Sequence, residues 1–344
     1  MTDPTAPEIH LDTDARHVLL VGTGGIGSRL LQSLMTLSAD ALAGRRLEVI
    51  CVDPSETALS LARHRVGELS AITPGIDVRY EVRLPRNLPR EPELVIVATP
   101  SAVRFGVVMD LLSRMQPRNL VLEKFLFTQH GAYREVESRL EQGGIRTWVH
   151  APRTVWPGYL DLVGRLQATE PVSMRVSGSN WALASNAIHF VPAFQLLCGE
   201  DIVDVSGAGL DPDPIENKRQ GYKEVSGRLV LQGSRGSRLE LVSLASGLLP
   251  LQVTIETPKA RFLIEEAGER MRVQEAASSW AWSELPFRML RASQMQEPLA
   301  RILNEGRSSL PTYASMVEPH LALMRVFNTV FFGPGHETAD CPVT

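Results

Sequence analysis

Six residues, Gly22-Thr23-Gly24-Gly25-Ile26-Gly27, form a GxGxxG, a spacing that suits a phosphate cradle. The first glycine permits a tight turn and the second lets backbone amides approach a pyrophosphate. The third allows close packing of helix on strand. Glycine-rich turns also occur for purely structural reasons, so the flanking pattern decides. Asp53 ends a later apolar run, RLEVICVD. An acid there accepts from both adenosine ribose hydroxyls and repels a 2′-phosphate, which favours NAD over NADP. The same Asp-Pro-Ser also suits the start of a turn.

Three further features carry chemistry. Thr99-Pro100 follows the apolar run LVIV and suits a cofactor-facing turn or an ordinary strand-to-helix turn. Glu123-Lys124 ends another apolar run, where a lysine reaches a nicotinamide ribose and a substrate hydroxyl, or simply solvent. His189 lies in NAIHFVPAF. A histidine on an apolar stretch is commonly a core residue, yet its side chain is the one best matched to acid–base work near neutral pH. The remaining histidines show no HxxxH or HExxH, and no GxSxG elbow is present, so neither a metal site nor a serine hydrolase is expected.

These residues need elements to hold them. HVLLVG (17–22) reads as a buried strand and GIGSRLLQSLMTL (25–37) as a helix, which is the context a dinucleotide cradle requires. Strand and helix then alternate: strand 46–53, helix 55–69, strand 77–84, strand 94–100, helix 101–115, strand 119–125, helix 128–144 and strand 146–150. The strands are rich in Val, Ile and Leu rather than alternating, as in a parallel sheet covered on both faces. After His150 the rhythm changes. A loop leads into a helix, then strand 171–180 and a buried helix over 186–199 despite Pro192. Six strand-like runs with turn-length connections follow between 202 and 276, the pattern of an antiparallel sheet. The segment 211–223 reads as a charged loop, and 310–332 as a last helix.

The expected architecture is a Rossmann dinucleotide-binding domain over 15–150, preceded by a polar leader (1–14). An α+β domain with an open, mostly antiparallel sheet follows over 151–332, for substrate and oligomerisation. Its last helix is free in this reading to pack back on the first domain, and residues 333–344 form a tail. At 344 residues with a net charge of −4, the chain is long enough for two cores and carries no whole-chain field for nucleic acid or an anionic membrane. Its three cysteines are far apart, and the polar N-terminus lacks a signal-peptide pattern, so a cytoplasmic protein without disulfides is expected.

Together, GTGGIG, ATPSAV, LEK, the Arg153 segment, the helix bearing His189 and the LPTY before the last helix resemble the Gfo/Idh/MocA family. These are the glucose–fructose oxidoreductase and inositol dehydrogenase relatives, and the match runs from about residue 15 to about residue 330. The resemblance implies an NAD- or NADP-binding first domain and a second-domain sheet that serves substrate binding and subunit association. The family lysine falls on Lys124 and its catalytic histidine on His189. Phe125 stands where the family has Pro, and Ser185 and Pro192 stand where it frequently has Asp.

The implied function is an NAD-dependent oxidoreductase acting on a secondary alcohol or ketone of a sugar, sugar nucleotide or cyclitol. In that reading His189 is the acid–base group, Lys124 positions the reacting oxygen, and Glu123 belongs to the cofactor side. Arg153, Ser185 and Asn186 bind substrate, with Asn180 and Trp181 lining the pocket or packing. A homodimer or homotetramer is expected. Reduction of a C=N bond on the same architecture, and a non-catalytic dinucleotide-binding regulatory role, stay open as alternatives.

Overall fold

The computed structural model describes residues 7–166 and 170–344; the first six residues of the expected leader lie outside them. The chain divides into two compact units. The first holds the described residues 7–127 with Gly131–His150 and Leu290–Ala314; the second holds Thr128–His130, Ala151–Met289 and Ser315–Thr344.

The first unit is built from β1 (Arg16–Val21), α1 (Gly27–Met35), α2 (Ala39–Leu42), β2 (Leu47–Val52), α3 (Glu56–Gly67), β3 (Ile76–Glu81), β4 (Leu94–Val97), α4 (Ser101–Arg114), β5 (Asn119–Glu123), α5 (His130–Gly143) and β6 (Arg146–His150). All six strands are parallel, in the order β3-β2-β1-β4-β5-β6. β2, β4 and β5 are buried at every position, which is why their sequences are continuous apolar runs. The chain order reverses between β1 and β4, and ligands of such sheets bind at the carboxyl ends of the strands beside that switch point. The part of the leader that is described lies along this unit: Arg86 N–H donates to Pro7 O at 2.9 Å, and Arg46 pairs with Asp12 at 2.8 Å.

The second unit contains α6 (Pro157–Arg165), β7 (Ser173–Ser179), α7 (Leu183–Cys198), β8 (Ile202–Leu210), β9 (Ile215–Glu216), β10 (Lys223–Glu224), β11 (Gly227–Gly233), β12 (Arg238–Leu244), β13 (Gln252–Glu256), β14 (Ala260–Glu265), β15 (Arg270–Glu275) and β16 (Ser283–Pro286). Eight of the strands make an open sheet in the order β16-β15-β14-β13-β7-β12-β11-β8, antiparallel except where β7 meets β12. One face buries Met174, Val176, Leu239, Leu241, Phe262 and Val273. The alternate positions include Arg175, Glu240, Arg261 and Arg272, so the period of two in the sequence corresponds to one dry and one polar face. The two-stranded pair β9–β10 corrects the expected loop over 211–223: Glu216 pairs with Lys223 and Ile215 with Glu224.

Two further segments depart from the expected domain boundaries. α8 (Gln296–Glu305) and its flanks belong to the first unit rather than the second. Ser33 Oγ donates to Ala292 O at 3.0 Å and accepts from Met295 N–H at 2.9 Å, while Leu299 and Ile302 are buried. Of the final helix α9 (Tyr313–Phe332), the part from Ser315 onward packs in the second unit. Residues 333–344 are not a loose tail: Cys341 and Val343 are buried, and Cys341 N–H donates to Thr128 O at 2.8 Å. Cys51, Cys198 and Cys341 are all unpaired and buried. Among the described residues no helix is long and apolar enough to cross a membrane.

Candidate active site

Within the first unit the expected cofactor residues converge on the carboxyl edge of the sheet. The glycine-rich loop leaves β1 and enters α1, whose N-terminus has no side-chain cap. Its glycines do different work. Gly22 has φ +89°, and a Cβ there would lie 2.8 Å from the backbone of Ala98 and Thr99, so the loop packs directly on the end of β4. A Cβ on Gly27 would overlap the Gly22 carbonyl oxygen. Gly24 and Gly25 have nothing within 4 Å of the same position. Two glycines thus hold the loop closed and two leave open space over the amide-rich end of a helix, where a pyrophosphate is favoured. Ile26 is the N-cap residue of α1.

Asp53, at the end of β2, is buried and accepts from Thr23 N–H at 2.7 Å and from Ser55 N–H at 2.9 Å. Each carboxylate oxygen has two lone pairs, so capacity for ribose hydroxyls remains. It therefore both begins the turn and braces the loop. At the end of β4, Thr99 keeps a buried Oγ1 that has no partner, a group that a cofactor fits; Pro100 is exposed beside it. These features fit a dinucleotide. Arg65 on α3 also reaches the loop, donating to Gly25 O and Ser28 Oγ, both at 2.6 Å.

Two residues at this edge were not singled out from the sequence. Arg104, in the first turn of α4 and fully buried, donates to the carbonyls of Thr99 and Phe125, and to that of Leu126 at 2.8 Å. It ties the turn after β4 to the turn carrying Lys124, whose peptide bond to Phe125 is cis. The available signal was its place in the stripe Arg104, Val108, Leu111, all buried, at helical spacing. Arg104→Met removes the donor to these carbonyls, so it is expected to lower stability by about 2 kcal/mol, checked by urea unfolding; Arg104→Lys, a point charge in place of the planar fork, is expected to restore only part of that loss.

The second addition is His150, at the end of β6. Its Nδ1 lies 2.6 Å from a Glu123 carboxylate oxygen, both groups being buried. Glu123 was expected on the cofactor side; its carboxylate instead holds His150 across neighbouring strands, because β5 and β6 pair Glu123 with His150.

In the second unit, the N-terminal half of α7 gathers the expected substrate residues. Asn186 and His189, three residues apart, share a half-buried helical face. Asn186 Nδ2 donates to Trp181 O at 2.8 Å. Trp181 donates its indole N–H to Val242 O at 2.8 Å and meets Phe190 edge-on. Asn180 precedes it in the left-handed region, φ 51°, and is exposed.

Two expected substrate residues are otherwise engaged. Ser185 Oγ donates to Glu224, whose other oxygen accepts from Ala184 N–H at 2.8 Å and Ser185 N–H at 3.3 Å. Asn217 Nδ2 also reaches this carboxylate, at 2.8 Å. A carboxylate supplied by β10 therefore sits at the amino end of the helix that bears His189. Burial holds the Glu224 carboxyl above the usual carboxylate range, against the hydrogen bonds that pull it down.

Arg153 makes a two-pronged pair with Glu266, at 2.8 and 2.7 Å, and Tyr159 OH donates to the same carboxylate at 2.6 Å. Its guanidinium lies 3.9 Å from the Phe190 ring centroid and 4.9 Å from that of Trp156. Burial alone would lower its pKa, yet Glu266 holds it raised. Arg153 positions α7 rather than offering a free charge, because Glu266 already neutralises it.

Among the described residues no group of His, Cys, Asp and Glu is arranged to hold a metal. No protein-family model matches the chain, and no curated protein matches it by sequence. Solved structures match it over nearly its whole length. An oxidoreductase from Agrobacterium radiobacter, in complex with NAD+, L-tartaric acid and magnesium, aligns with a TM-score of 0.67 at 13% identity, covering 93% of this chain and 97% of that one. The UDP-N-acetylglucosamine 3-dehydrogenase of Acidithiobacillus ferrooxidans aligns with a TM-score of 0.63 at 12% identity, covering 91% and 96%. An NAD-binding oxidoreductase from Klebsiella pneumoniae aligns with a TM-score of 0.63 at 11% identity, covering 90% and 95%. These neighbours are two-domain oxidoreductases of the Gfo/Idh/MocA type, and the chain has their fold.

Proposed function

We propose that this chain is an NAD-dependent oxidoreductase of the Gfo/Idh/MocA family. It would interconvert a secondary alcohol and a ketone on a sugar, sugar nucleotide or cyclitol. The observation that carries the reading is the glycine loop, closed by Gly22 and Gly27 and open over Gly24 and Gly25, with Asp53 braced against it. In this reading the loop amides and the α1 N-terminus hold the pyrophosphate, and Asp53 accepts from the adenosine ribose. NAD, when bound, supplies the hydride acceptor at nicotinamide C4. The chain's own residues manage position and proton. Lys124 donates to the reacting oxygen. His189 accepts the hydroxyl proton as the carbon loses hydride, and returns it in the reverse direction. Asn186 hydrogen-bonds a neighbouring hydroxyl, and the Trp181 ring suits a sugar face. A crystal soaked with NAD and candidate sugars tests these placements.

Cofactor choice follows from charge. Asp53 places a carboxylate where NADP carries its 2′-phosphate, so NAD is expected to bind at least about tenfold tighter, about 1.4 kcal/mol. Titrating both cofactors checks this; equal or tighter binding of NADP removes the role given to Asp53.

The same reading includes a homodimer or homotetramer in the cytoplasm. The open sheet has two edge strands, β8 and β16, and the loop after β12 holds Leu248 98% exposed beside exposed Leu249. Light scattering at micromolar concentration is expected to give two or four chain masses; a clean monomer contradicts it. Three unpaired, buried cysteines suit a reducing compartment.

A further inference from the structure

The first unit carries two adjoining cavities at the amino ends of β1, β5 and β6, the pole opposite the glycine loop. β1 alone spans about 20 Å between the poles. One cavity, of about 320 Å³, is lined by Arg16, Arg45, Arg118 and Arg146 together with Glu93 and Glu305. The other, of about 330 Å³, is largely apolar, with Leu140, Ile145, Trp148 and Tyr313 in its wall; Glu137, which pairs with Arg134 at 2.7 Å, and Glu141 also border it. Arg146 and Gly306 line both.

The arginine cavity carries four guanidinia against two carboxylates, Glu93 and Glu305. Arg16 is committed to the fold, since it pairs with Glu93 and donates to Leu303 O at 2.7 Å, at the carbonyl end of α8, and to Asn304 at 2.7 Å. Arg45 shares Glu93, at 3.2 Å, and Glu305 leans towards Arg301, at 4.0 Å. Among the described residues, Arg118 and Arg146 have neither an ion pair nor a side-chain hydrogen bond. The Arg146 guanidinium lies over Gly306, which has φ +59° and no side chain in its way. Asn119, 2% exposed, also lines the arginine cavity and donates its Nδ2 to Glu93 O at 2.8 Å.

We propose that these cavities form a second ligand site, for a phosphate monoester with an aromatic or alkyl body. The phosphate is close to dianionic at neutral pH and so matches the two unpaired guanidinia, which a monocarboxylate does not. The body occupies the apolar cavity. Together the two volumes suit a small molecule. The site is independent of the dinucleotide cradle and of the function proposed for it.

Calorimetric titration of the full chain with phenyl phosphate, inorganic phosphate and benzoate tests this. Phenyl phosphate is expected to bind at least about tenfold tighter than either of the others. The double variant Arg118→Gln/Arg146→Gln, at exposed positions, is expected to weaken both phosphate probes at least about tenfold. Ile145→Gln is expected to remove the preference for the phenyl group while keeping inorganic phosphate. Gly24→Val, in the other cradle, is expected to change none of these. Equal binding of benzoate, or phosphate binding that survives the double arginine change, overturns the proposal. Binding lost in Gly24→Val but kept in the arginine variant assigns the phosphate to the dinucleotide cradle and overturns it too.

Discussion

Gly24→Val is expected to abolish binding of NAD and NADP alike while leaving the protein folded. Affinity should fall at least about a hundredfold, about 2.7 kcal/mol. A Cβ at Gly24 meets no atom within 4 Å beyond its chain neighbours, and the residue is not held at positive φ, so valine is expected to be accommodated. The added carbons instead fill the space over the α1 N-terminus that the pyrophosphate needs. The melting temperature should stay within about 3 °C of wild type, about 1 kcal/mol for units of this size. Gly27→Ala is the contrast, since its Cβ would overlap the Gly22 carbonyl oxygen; the loop must open and stability should fall by about 1–3 kcal/mol. Thermal melts and cofactor titration on the two variants separate a ligand cradle from a merely tight turn. Wild-type NAD affinity in Gly24→Val contradicts the cradle.

His189→Ala and Lys124→Met are each expected to lose at least about a hundredfold in kcat, within the ~10²–10⁴ range of general acid–base groups. NAD affinity should change less than about threefold, since neither residue belongs to the cradle. A hydroxyl that gives up hydride must also give up its proton, and a neutral imidazole accepts it near pH 7. Methionine keeps the length of Lys124 and removes its charge, so the change reads the ammonium rather than the packing. Steady-state kinetics with the best substrate, beside NAD titration, supplies both numbers. If His189→Ala keeps near-full activity while Lys124→Met does not, the histidine is a packing or binding residue. If neither change matters, both assignments fail.

The first unit was legible because burial on two faces writes strands as unbroken apolar runs, and because one loop needs glycines at fixed intervals. LEVICV and LVIV could not be mistaken for exposed segments. α8 was not legible as part of that unit, since its bonds through Ser33 join residues about 260 positions apart, and nothing local marks them. The same limit hid the partners of the candidate site. Ser185 looked like a lost carboxylate, yet Glu224 supplies one from a strand 39 positions on. Arg153 reads from the sequence as a substrate residue, and its partner Glu266 lies 113 positions on, where nothing local marks it. Arg104 was legible in principle: a charged residue in step with Val108 and Leu111 sits where a core residue belongs, which marks a buried charge with work to do.

Hydride transfer from a sugar-like alcohol to NAD is tested most directly by mixing the protein with NAD and a panel of sugars, sugar nucleotides and cyclitols, and following the absorbance of NADH. NADH formation is expected with at least one member of the panel, with slower turnover on NADP and loss of the signal in both Gly24→Val and His189→Ala. Tight NAD binding with no NADH from any member, and no NADH consumption with the matching ketones, would contradict hydride transfer and leave a dinucleotide-binding protein without this chemistry.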